Sequence, residues 1–550
     1  MLLLPLLLSC VAPQAEAPSA PVRPPAIPDA SVPDRGTAGL DVEHYRLELA
    51  IDPERRFVEG TAKLQLRYQS SQKAVELDFH HMFEVVAARV NGRLCEAEQT
   101  PHRLRLPVSR SLAAGKTHEV EIIYRGLFPQ EEWQGDVIGM IYDDISLVAY
   151  LEPDGAHHWF PCNDHPSDKA SYELIIDAPD GQMVGAIGAL ISEGESPREG
   201  HHRSHWRTDI PTSSYLVALG VGPWVKIERN SSRVPIWDFC EERDRETIQT
   251  SLASVPHMMD FFETQFGPYP FEKYGHMLTR HSIGGMEDQT LTVLGREEAL
   301  SGNIALLSHE LAHQWFGNLV SPYQWRDLWL NEGWATWAEL LWFEQVDPEA
   351  AVATRESWRR STFRLAIREH PHTLAQPDPA NLFDGNLVYN KGGMVIDLLS
   401  GYLGREEFLA ASRAYLAEFA TGNAMTADFQ YSLEKSTGED LETFFAAWVR
   451  GNALPELKWE ILEVEGLGRD PEGKAVGPWR VRCAVEQSNG HFPMSMALEL
   501  QGANPSQRHQ VQLRFENARV ELATVLPWRP LTLAPDPGKL TPWVPAEPRD

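Results

Sequence analysis

Apolar and polar residues alternate along the first part of the chain, from about residue 40 to about residue 228. Apolar side chains recur at every second position in the runs 45–51, 62–68, 75–79 and 172–176. A period of two is typical of strands with one buried face, so we predict a β domain over residues 40–228.

The pattern changes twice after that region. Helical periodicity begins after about residue 240, with a candidate helix over 247–266 that Pro256 interrupts, and we assign residues 229–453 to a mainly helical domain. Alternation returns after Pro455, in the runs 479–485, 494–500 and 511–515, which predicts a small β-sandwich over residues 454–550. The chain is therefore predicted to be a multidomain α+β protein.

One helix of the middle region carries His309-Glu310-Leu311-Ala312-His313. Two histidines four residues apart lie on the same face of a helix, because one turn takes about 3.6 residues. Neutral imidazoles are good zinc ligands, and the glutamate between them can sit beside the metal rather than on it. An exposed helix with scattered histidines is the alternative for so short a motif.

A second apolar segment follows at residues 328–339 and carries Glu332, with 18 residues between His313 and Glu332. This segment is apolar on nearly all sides, which predicts burial. Because a carboxylate is rarely buried without a partner, we predict that Glu332 is the third metal ligand beside His309 and His313. Asp327 and Glu339 are candidate hydrogen-bond partners for the ligand histidines, and core packing is the default for the neighbouring tryptophans.

These two segments read HELAHQWFGNLV (309–320) and DLWLNEGWATWAE (327–339), and they resemble the gluzincin aminopeptidases. This is the family of aminopeptidase N and leukotriene-A4 hydrolase, and the resemblance runs from about residue 40 to about residue 540. It implies an N-terminal β saddle, a thermolysin-like catalytic domain and one Zn²⁺ per chain. Long members carry a further large helical domain, so the chain resembles a short form of the family.

Residues 284–288, Gly284-Gly285-Met286-Glu287-Asp288, are similar to the family's Gly-x-Met-Glu-Asn signature. Paired glycines let a backbone approach closely, as pairing with an extended peptide requires, and Glu287 offers a carboxylate to a free α-ammonium group. An ordinary glycine turn with a surface glutamate is the alternative. Asp288 stands where the family has Asn, and its charge could strengthen amine capture or raise the pKa of Glu287.

Two further positions complete the predicted site. Glu152, eight residues before Phe160 in a stretch resembling the family's second amine-binding position, is expected to close the amine pocket from the β domain. Tyr389, in a Tyr-x-Lys-Gly pattern, is expected to donate a hydrogen bond to the developing oxyanion. Lys391 of the same pattern receives no role.

Composition restricts the possible partners. Asp and Glu number 78 against 49 Lys and Arg, and the net charge of −29 speaks against nucleic acid. The cysteines are widely spaced, with neither a disulfide framework nor a CxxC pair.

The N-terminus suggests export. Residues 1–9 are apolar but too short to span a bilayer, and Leu7-Leu8-Ser9-Cys10 resembles a bacterial lipobox, although no basic residue precedes it. Residues 10–39 are rich in Pro and Ala and predict a tether. We therefore expect a lipoprotein of the bacterial cell envelope anchored at Cys10; a secreted or periplasmic protein, or a misassigned start codon, is the alternative.

The predicted function is a zinc aminopeptidase that hydrolyses the N-terminal bond of peptides, with Glu310 as general base. The alternatives are a non-catalytic peptide-binding lipoprotein, an epoxide hydrolase on the same zinc site, and an endopeptidase. The sequence does not indicate which N-terminal residue is preferred.

Overall fold

The N-terminal part consists almost entirely of strands. The computed structural model describes residues 20–134, 136–229 and 233–546. The strands of this part are β1 (Leu40–Asp52), β2 (Phe57–Tyr68), β3 (Gln72–Asp78), β4 (Phe83–Val90), β5 (Arg93–Cys95), β6 (Glu98–Gln99), β7 (Arg103–Leu112), β8 (Thr117–Leu127), β9 (Glu131–Trp133), β10 (Asp136–Tyr142), β11 (Leu147–Tyr150), β12 (Lys169–Pro179), β13 (Met183–Ala186), β14 (Ala189–Glu195), β15 (His201–Ser213) and β16 (Leu219–Gly222). Short 3₁₀ helices lie at Ala156–His158 and Ser214–Leu216.

Three sheets share these strands. An eight-stranded sheet has the order β14-β15-β12-β1-β2-β8-β4-β5, a five-stranded sheet has the order β13-β16-β11-β10-β9, and β3-β7-β6 form the third. In β1 the alternating side chains of Tyr45, Leu47 and Leu49 are buried, as the period of two predicts. The five-stranded sheet ends at the hairpin β9–β10, which reaches the candidate site described below.

The middle part combines a small sheet with helices. Its strands are β17 (Val225–Arg229), β18 (Ile236–Cys240), β19 (Tyr274–Thr279), β20 (Gly285–Met286), β21 (Thr292–Gly295), β22 (Ser321–Pro322) and β23 (Asn423–Ala424). Its helices are α1 (Arg245–Ser251), α2 (Val255–Phe266), α3 (Arg296–Ser301), α4 (Ile304–Ala312), α5 (Trp329–Val346), α6 (Pro348–Ile367), α7 (Gly392–Leu403), α8 (Arg405–Phe419), α9 (Thr426–Thr437) and α10 (Glu442–Trp448), with 3₁₀ helices at Glu242–Asp244 and Trp325–Asp327 and a π-helical segment at Gly385–Lys391.

The helix predicted over 247–266 is two helices, α1 and α2. Pro256 does not break a helix but lies in the first turn of α2, where its missing N–H leaves no hydrogen bond unmade. The sheet order β17-β18-β19-β21-β20 also places β17 in this part, so the predicted boundary at residue 228 falls inside a strand.

The C-terminal strands form two sheets. They are β24 (Glu456–Arg469), β25 (Ala475–Gln487), β26 (Ser495–Gln501), β27 (Arg508–Arg514), β28 (Arg519–Leu526), β29 (Thr532–Pro535) and β30 (Val544–Pro545). The orders are β28-β25-β24-β30 and β27-β26-β29. Cys483 and Leu498 from the two sheets lie in one hydrophobic core with Trp448 of α10, so the C-terminal strands pack onto the helical part.

The predicted tether is only partly described, because residues 10–19 lie outside the described residues. From Arg23 onwards the segment lies against the folded body instead of extending from it. Arg23 forms an ion pair with Asp428 at 2.8 Å, and Asp29 accepts a hydrogen bond from the Trp325 backbone N–H at 2.7 Å. This Pro- and Ala-rich segment has no apolar periodicity, and contacts made through single polar side chains leave no pattern in the sequence, so they could not be predicted. Among the described residues, no helix is both long and apolar enough to cross a membrane.

Candidate metal centre and active site

The two histidines of the motif face the same side of α4. Asn303 caps this helix by accepting a hydrogen bond from the Leu306 N–H, and buried Leu307 and Leu311 fix its inner face. The helix ends at Ala312, and His313 follows in a helical conformation. Both imidazoles therefore remain on one face, as a spacing of four residues requires.

Glu332 of α5 lies opposite both imidazoles. Its Oε2 is 3.1 Å from His309 Nε2 and 3.6 Å from His313 Nε2. The ligand atoms of the three residues lie within 4.8 Å of one another, and all three side chains are buried. The structure thus brings together the three residues that the sequence predicted as metal ligands.

The other ring nitrogen of each histidine is held by an acceptor. His309 Nδ1 lies 2.7 Å from Glu339 Oε1, and His313 Nδ1 donates to the Phe316 carbonyl at 3.0 Å. These bonds place a hydrogen on each Nδ1 and turn each Nε2 toward Glu332, so Nε2 is the nitrogen available to a metal ion. Two imidazoles and one carboxylate so oriented fit a zinc ion with one open position.

Three further glutamates converge on the same cavity. It has a volume of about 460 Å³, and its lining includes Glu152, Glu287, Glu310 and Tyr389 beside the three candidate ligands. One carboxylate oxygen each of Glu152, Glu287 and Glu310 is buried without a hydrogen-bond partner among the described residues. Such buried oxygens require a cation or a donor from outside the chain.

Electrostatics agree with that requirement. Burial, reinforced by Glu287 and Glu332, raises the pKa of Glu152 well above its usual range. Burial also raises the pKa of Glu310 to about 8 against the opposing effect of the two histidines. Burial raises the pKa of Glu332 as well, but His313 and His309 outweigh it and lower that pKa to about 2. The site holds more carboxylates than the cationic groups of the chain can neutralise, so it favours bound cations.

Glu287 follows β20, the last strand of its sheet. Its backbone carbonyl accepts hydrogen bonds from Gln314 Nε2 at 3.1 Å and Asn318 Nδ2 at 2.7 Å. Both donors come from the segment just after α4, so the metal helix and the Glu287 loop are tied together. The open edge of β20 borders the cavity through Gly285 and Met286.

The two glycines of this loop differ in their surroundings. A Cβ on Gly285 would lie 2.3 Å from Glu310 Oε1, so the Glu310 side chain would have to move. A Cβ on Gly284 would meet only Leu306 Cδ1 at 3.7 Å, an ordinary contact. Of the two glycines, Gly285 is therefore the one whose missing side chain leaves Glu310 in place.

Asp288 is fully buried, and neither carboxylate oxygen has a hydrogen-bond partner among the described residues. Burial raises its pKa well above the usual range, and Glu287 and Glu310 add to the effect. The neutral, protonated form of Asp288 is thereby favoured over the ionised form, and that neutral form would resemble the Asn of the family signature.

Tyr389 lies on the π-helical segment, and its ring stacks on His309 with centroids 5.9 Å apart. Burial, with Glu332 adding to it, raises the pKa of Tyr389 well above its usual value, so its O–H remains a donor. Lys391 is buried and donates to Gly451 O at 2.5 Å and Asn452 Oδ1 at 2.6 Å. Lys391 thus fixes the segment that carries Tyr389.

Some features were only partly foreseen. Glu339 lies seven residues after Glu332, two helical turns along the same face of α5, and this spacing could have singled it out. Asp327 is not at the site, because it accepts hydrogen bonds from the Thr426 backbone N–H and hydroxyl.

The cavity is also bordered by aromatic side chains that the sequence did not indicate: Trp133, Tyr150 and Phe383.

Two family models match the chain. The Peptidase M1 N-terminal domain matches residues 41–216, and the Peptidase family M1 domain matches residues 250–448. Among solved structures, an M1 zinc metallopeptidase from Deinococcus radiodurans aligns with a TM-score of 0.71 at 27% identity, covering 78% of this chain and 98% of that one. A mutant of that enzyme bound to a Tyr-Ser-Ala substrate aligns equally well.

Curated relatives are longer. Aminopeptidase M1 of Arabidopsis thaliana is 29% identical over 374 residues, which cover 63% of this chain and 42% of the relative. Alanine/arginine aminopeptidase of Saccharomyces cerevisiae is 26% identical over 448 residues, 75% of this chain and 52% of the relative. This chain thus spans about half the length of these curated relatives. The matched models, the aligned structures and the His309/His313/Glu332 geometry together show that the chain belongs to peptidase family M1.

Proposed function

We propose that this protein is a zinc-dependent aminopeptidase. The observation that carries the proposal is one shared cavity, in which Glu152, Glu287 and Glu332 place carboxylate oxygens within 4.8 Å of one another. Glu332 belongs to the metal ligands, whereas the other two have buried oxygens without partners. Two buried carboxylates beside a metal centre form a receptor for an ammonium group.

His309, His313 and Glu332 would hold the zinc ion, one per catalytic site. When bound there, zinc acts as a Lewis acid that makes water a nucleophile at neutral pH and polarises a carbonyl. Glu339 and the Phe316 carbonyl keep both histidines in the ligating tautomer. The chain thus supplies a preoriented set of donors.

Glu310 would act as the general base and then the general acid. It lies on the cavity wall between the two ligand histidines in sequence, with Oε2 free of protein hydrogen bonds. Its carboxylate would accept the proton of the attacking water and pass it to the leaving amine.

Tyr389 would donate its hydroxyl hydrogen bond to the carbonyl oxygen as negative charge develops there. Its stacking on His309 keeps the ring beside the metal centre. The open edge of β20 would pair with the extended peptide backbone, through Gly284, Gly285 and Met286. These contacts orient the scissile bond relative to Glu310.

Glu287 and Glu152 would bind the α-ammonium group. Because both carboxylates are fixed relative to the metal ligands, they determine which peptide bond reaches the nucleophile: the first one. The amine contact therefore separates an aminopeptidase from an endopeptidase with the same metal centre.

A substrate panel tests this function. Free and N-acetylated aminoacyl amides, and a lipid epoxide, should be assayed with the zinc-loaded protein, with and without a chelator. We expect rapid hydrolysis of the free amines, only a low residual rate on the N-acetylated substrates, no turnover of the epoxide, and loss of hydrolysis with chelator. Equal cleavage of N-acetylated peptides indicates an endopeptidase, turnover of the epoxide alone indicates an epoxide hydrolase, and peptide binding without cleavage indicates a non-catalytic binder; each result overturns the proposal.

We further propose that the protein is a lipoprotein of the bacterial cell envelope, lipidated at Cys10 and thereby bound to a membrane. Residues 1–19, which include this cysteine, lie outside the described residues, so the support is the lipobox-like Leu7-Leu8-Ser9-Cys10. The proposal includes the domain shapes that the family resemblance implies: a saddle, a thermolysin-like domain and a C-terminal sandwich. Labelling with an alkyne fatty acid should mark the wild type and not Cys10→Ala; equal labelling contradicts lipidation at Cys10.

A further inference from the structure

A second cluster of metal-ligating side chains lies in the N-terminal part, behind the hairpin β9–β10. Glu131 begins β9, His102 lies just before β7, and His157 and His158 end the 3₁₀ helix Ala156–His158. The hairpin itself borders the active-site cavity through Trp133 and Ile138. The cluster is separate from the His309/His313/Glu332 centre, with which it shares no residue.

Hydrogen bonds fix how two of these histidines point. His157 Nδ1 lies 2.8 Å from Asp164 Oδ2, and His158 Nδ1 lies 3.3 Å from the Ile138 carbonyl. Since both partners are acceptors, each Nδ1 carries the hydrogen and each Nε2 carries a lone pair. Metal-binding histidines in proteins are usually oriented by this kind of bond to a carboxylate or a carbonyl.

The distances among the remaining atoms suit a small ion. His157 Nε2 is 3.1 Å from His102 Nδ1, and Glu131 Oε2 is 3.4 Å from His158 Nε2 and 3.9 Å from His102 Nδ1. Ligand atoms of the three histidines lie within 4.8 Å of one another. In a tetrahedral zinc site with bonds of about 2.0–2.1 Å, ligand atoms are about 3.3 Å apart.

One buried ring nitrogen of the cluster has no hydrogen-bond partner. His158 is buried, and its Nε2 makes no hydrogen bond among the described residues, although Glu131 Oε2 lies 3.4 Å away. A proton on Nε2 or a metal ion between Nε2 and Glu131 Oε2 would pair these two atoms.

His80 directs Glu131 toward that position. The Met82 N–H donates to His80 Nδ1, so His80 Nε2 carries the hydrogen and donates to Glu131 Oε1 at 2.9 Å. This bond occupies one carboxylate oxygen and leaves Oε2 facing the histidines. Glu131 is therefore oriented in the same way as the histidines.

The cluster is accessible from solvent on one side. The side chains of His102 and Glu131 are 30% and 39% exposed, which gives an ion a path from solvent.

We propose that this cluster binds a second divalent transition-metal ion, of which zinc best fits three imidazoles and one carboxylate. Its ligands are His102, His157, His158 and Glu131. The ion joins the 3₁₀ helix that follows Glu152 to the hairpin that carries Trp133. Its role is therefore structural support of two walls of the active-site cavity.

Zinc content tests the proposal. The full chain is loaded with Zn²⁺, freed of unbound metal and analysed by mass spectrometry for zinc per chain. We expect about two equivalents in the wild type and about one in His102→Gln/Glu131→Gln, because these two partly exposed ligands can be replaced with little effect on packing. His81→Gln is the matched control, since exposed His81 lies beside His80 but bonds only to the Pro101 carbonyl, and it should retain about two.

A second variant separates the two centres. Glu332→Gln should lose the active-site ion and keep the second, whose Co²⁺ form should show the visible absorption of a low-symmetry site. One equivalent in the wild type, or a second equivalent that persists in His102→Gln/Glu131→Gln, overturns the proposal. Circular dichroism and an unchanged active-site equivalent establish that the double variant is folded, so loss of one ion then reports ligation.

Discussion

The two walls of the active-site cavity differ in how their carboxylates are satisfied. One wall, the helix wall, is formed by α4 and α5; on it, Glu332 and Glu339 each lie close to an imidazole nitrogen of His309. The other wall, the amine wall, carries Glu287 and Glu152, each of which leaves a buried oxygen without a hydrogen-bond partner among the described residues. The carboxylates of the helix wall have hydrogen-bond partners within the chain, whereas those of the amine wall have buried oxygens to which a bound ammonium group could donate.

Under the proposed function, this difference makes the amine wall the part of the cavity that determines specificity. A receptor whose charges are unsatisfied gains most from a ligand that supplies the missing charge, and it disfavours one that does not. The helix wall can bind its metal whether or not substrate is present. Glu310 lies on the helix wall, but its buried Oε2 has no hydrogen-bond partner among the described residues, as its proposed role of general base requires.

Replacing that unpartnered carboxylate should give the largest effect. Glu310→Gln keeps the shape of the side chain and removes its ability to accept a proton, so kcat should fall by at least about two orders of magnitude. Zinc content should not change, because Glu310 is not among the ligands. Near-normal turnover of an aminoacyl amide by the zinc-loaded variant would contradict the assignment.

Gly285→Ala tests whether the close approach of Gly285 to Glu310 is needed for activity. Its Cβ would lie 2.3 Å from Glu310 Oε1, so the carboxylate must move, and displacement of a catalytic group by about 1 Å can cost on the order of 100-fold in rate. Gly284→Ala is the matched control, since its Cβ meets only an ordinary contact. Steady-state kinetics of the pair decide the question, and equal activity of both variants would show that the glycine has no such role.

Glu287→Gln tests the amine wall directly. Loss of one charge-assisted contact, worth about 1.5–3 kcal/mol, should lower kcat/KM for free-amine substrates by about 10- to 150-fold. The low rate on N-acetylated substrates should not change, because they do not use that contact. A parallel loss on both substrate types would instead indicate damage to the metal side.

Without its metal ion, the protein should have a stability that depends on pH. Burial lowers the pKa of His313, but Glu287 and Glu332 outweigh it, so in the metal-free protein that pKa rises from 6.5 to about 9. A raised folded-state pKa stabilises the protein below pH 6.5, and this contribution is lost as pH rises through 9. The pKa of Glu310 is likewise raised, from 4.5 to about 8, so its contribution to the stability of the fold is also lost as pH rises through 8.

A zinc ion bound at the site would displace the protons held there by the metal-free protein. Because fewer protons are bound at higher pH, proton competition with zinc weakens as pH rises. The free energy by which zinc stabilises the fold should therefore grow between about pH 6.5 and pH 9, by up to about 1.4 kcal/mol per pH unit for each proton displaced, and the increase in Tm on zinc loading should grow with it. Differential scanning calorimetry of metal-free and zinc-loaded samples at several pH values measures it. A zinc-induced increase that shrinks with rising pH would contradict the linkage.

The sequence predicts the helix wall better than its surroundings, for a physical reason. Helical spacing relates His309 to His313, and Glu332 lies in the next α-helix, where the apolar pattern on all sides predicts a buried carboxylate. The cluster of Glu131, His102 and His157 arises from segments that only sheet pairing brings together, and no local period reveals it. The same holds for Asp29 and Arg23, whose polar contacts hold a Pro-rich segment against the body.

Asp288→Asn should have the smallest effect and is the most specific test of the amine wall. If Asp288 is protonated because it is buried beside Glu287, Asn replaces one neutral side chain with another, and kcat/KM should change less than about threefold. If Asp288 is ionised, it adds to the negative charge that binds the amine, and the variant should lose activity as Glu287→Gln does. Parallel kinetics of the two variants on the same free-amine substrate separate these cases, because only an ionised Asp288 makes their losses similar.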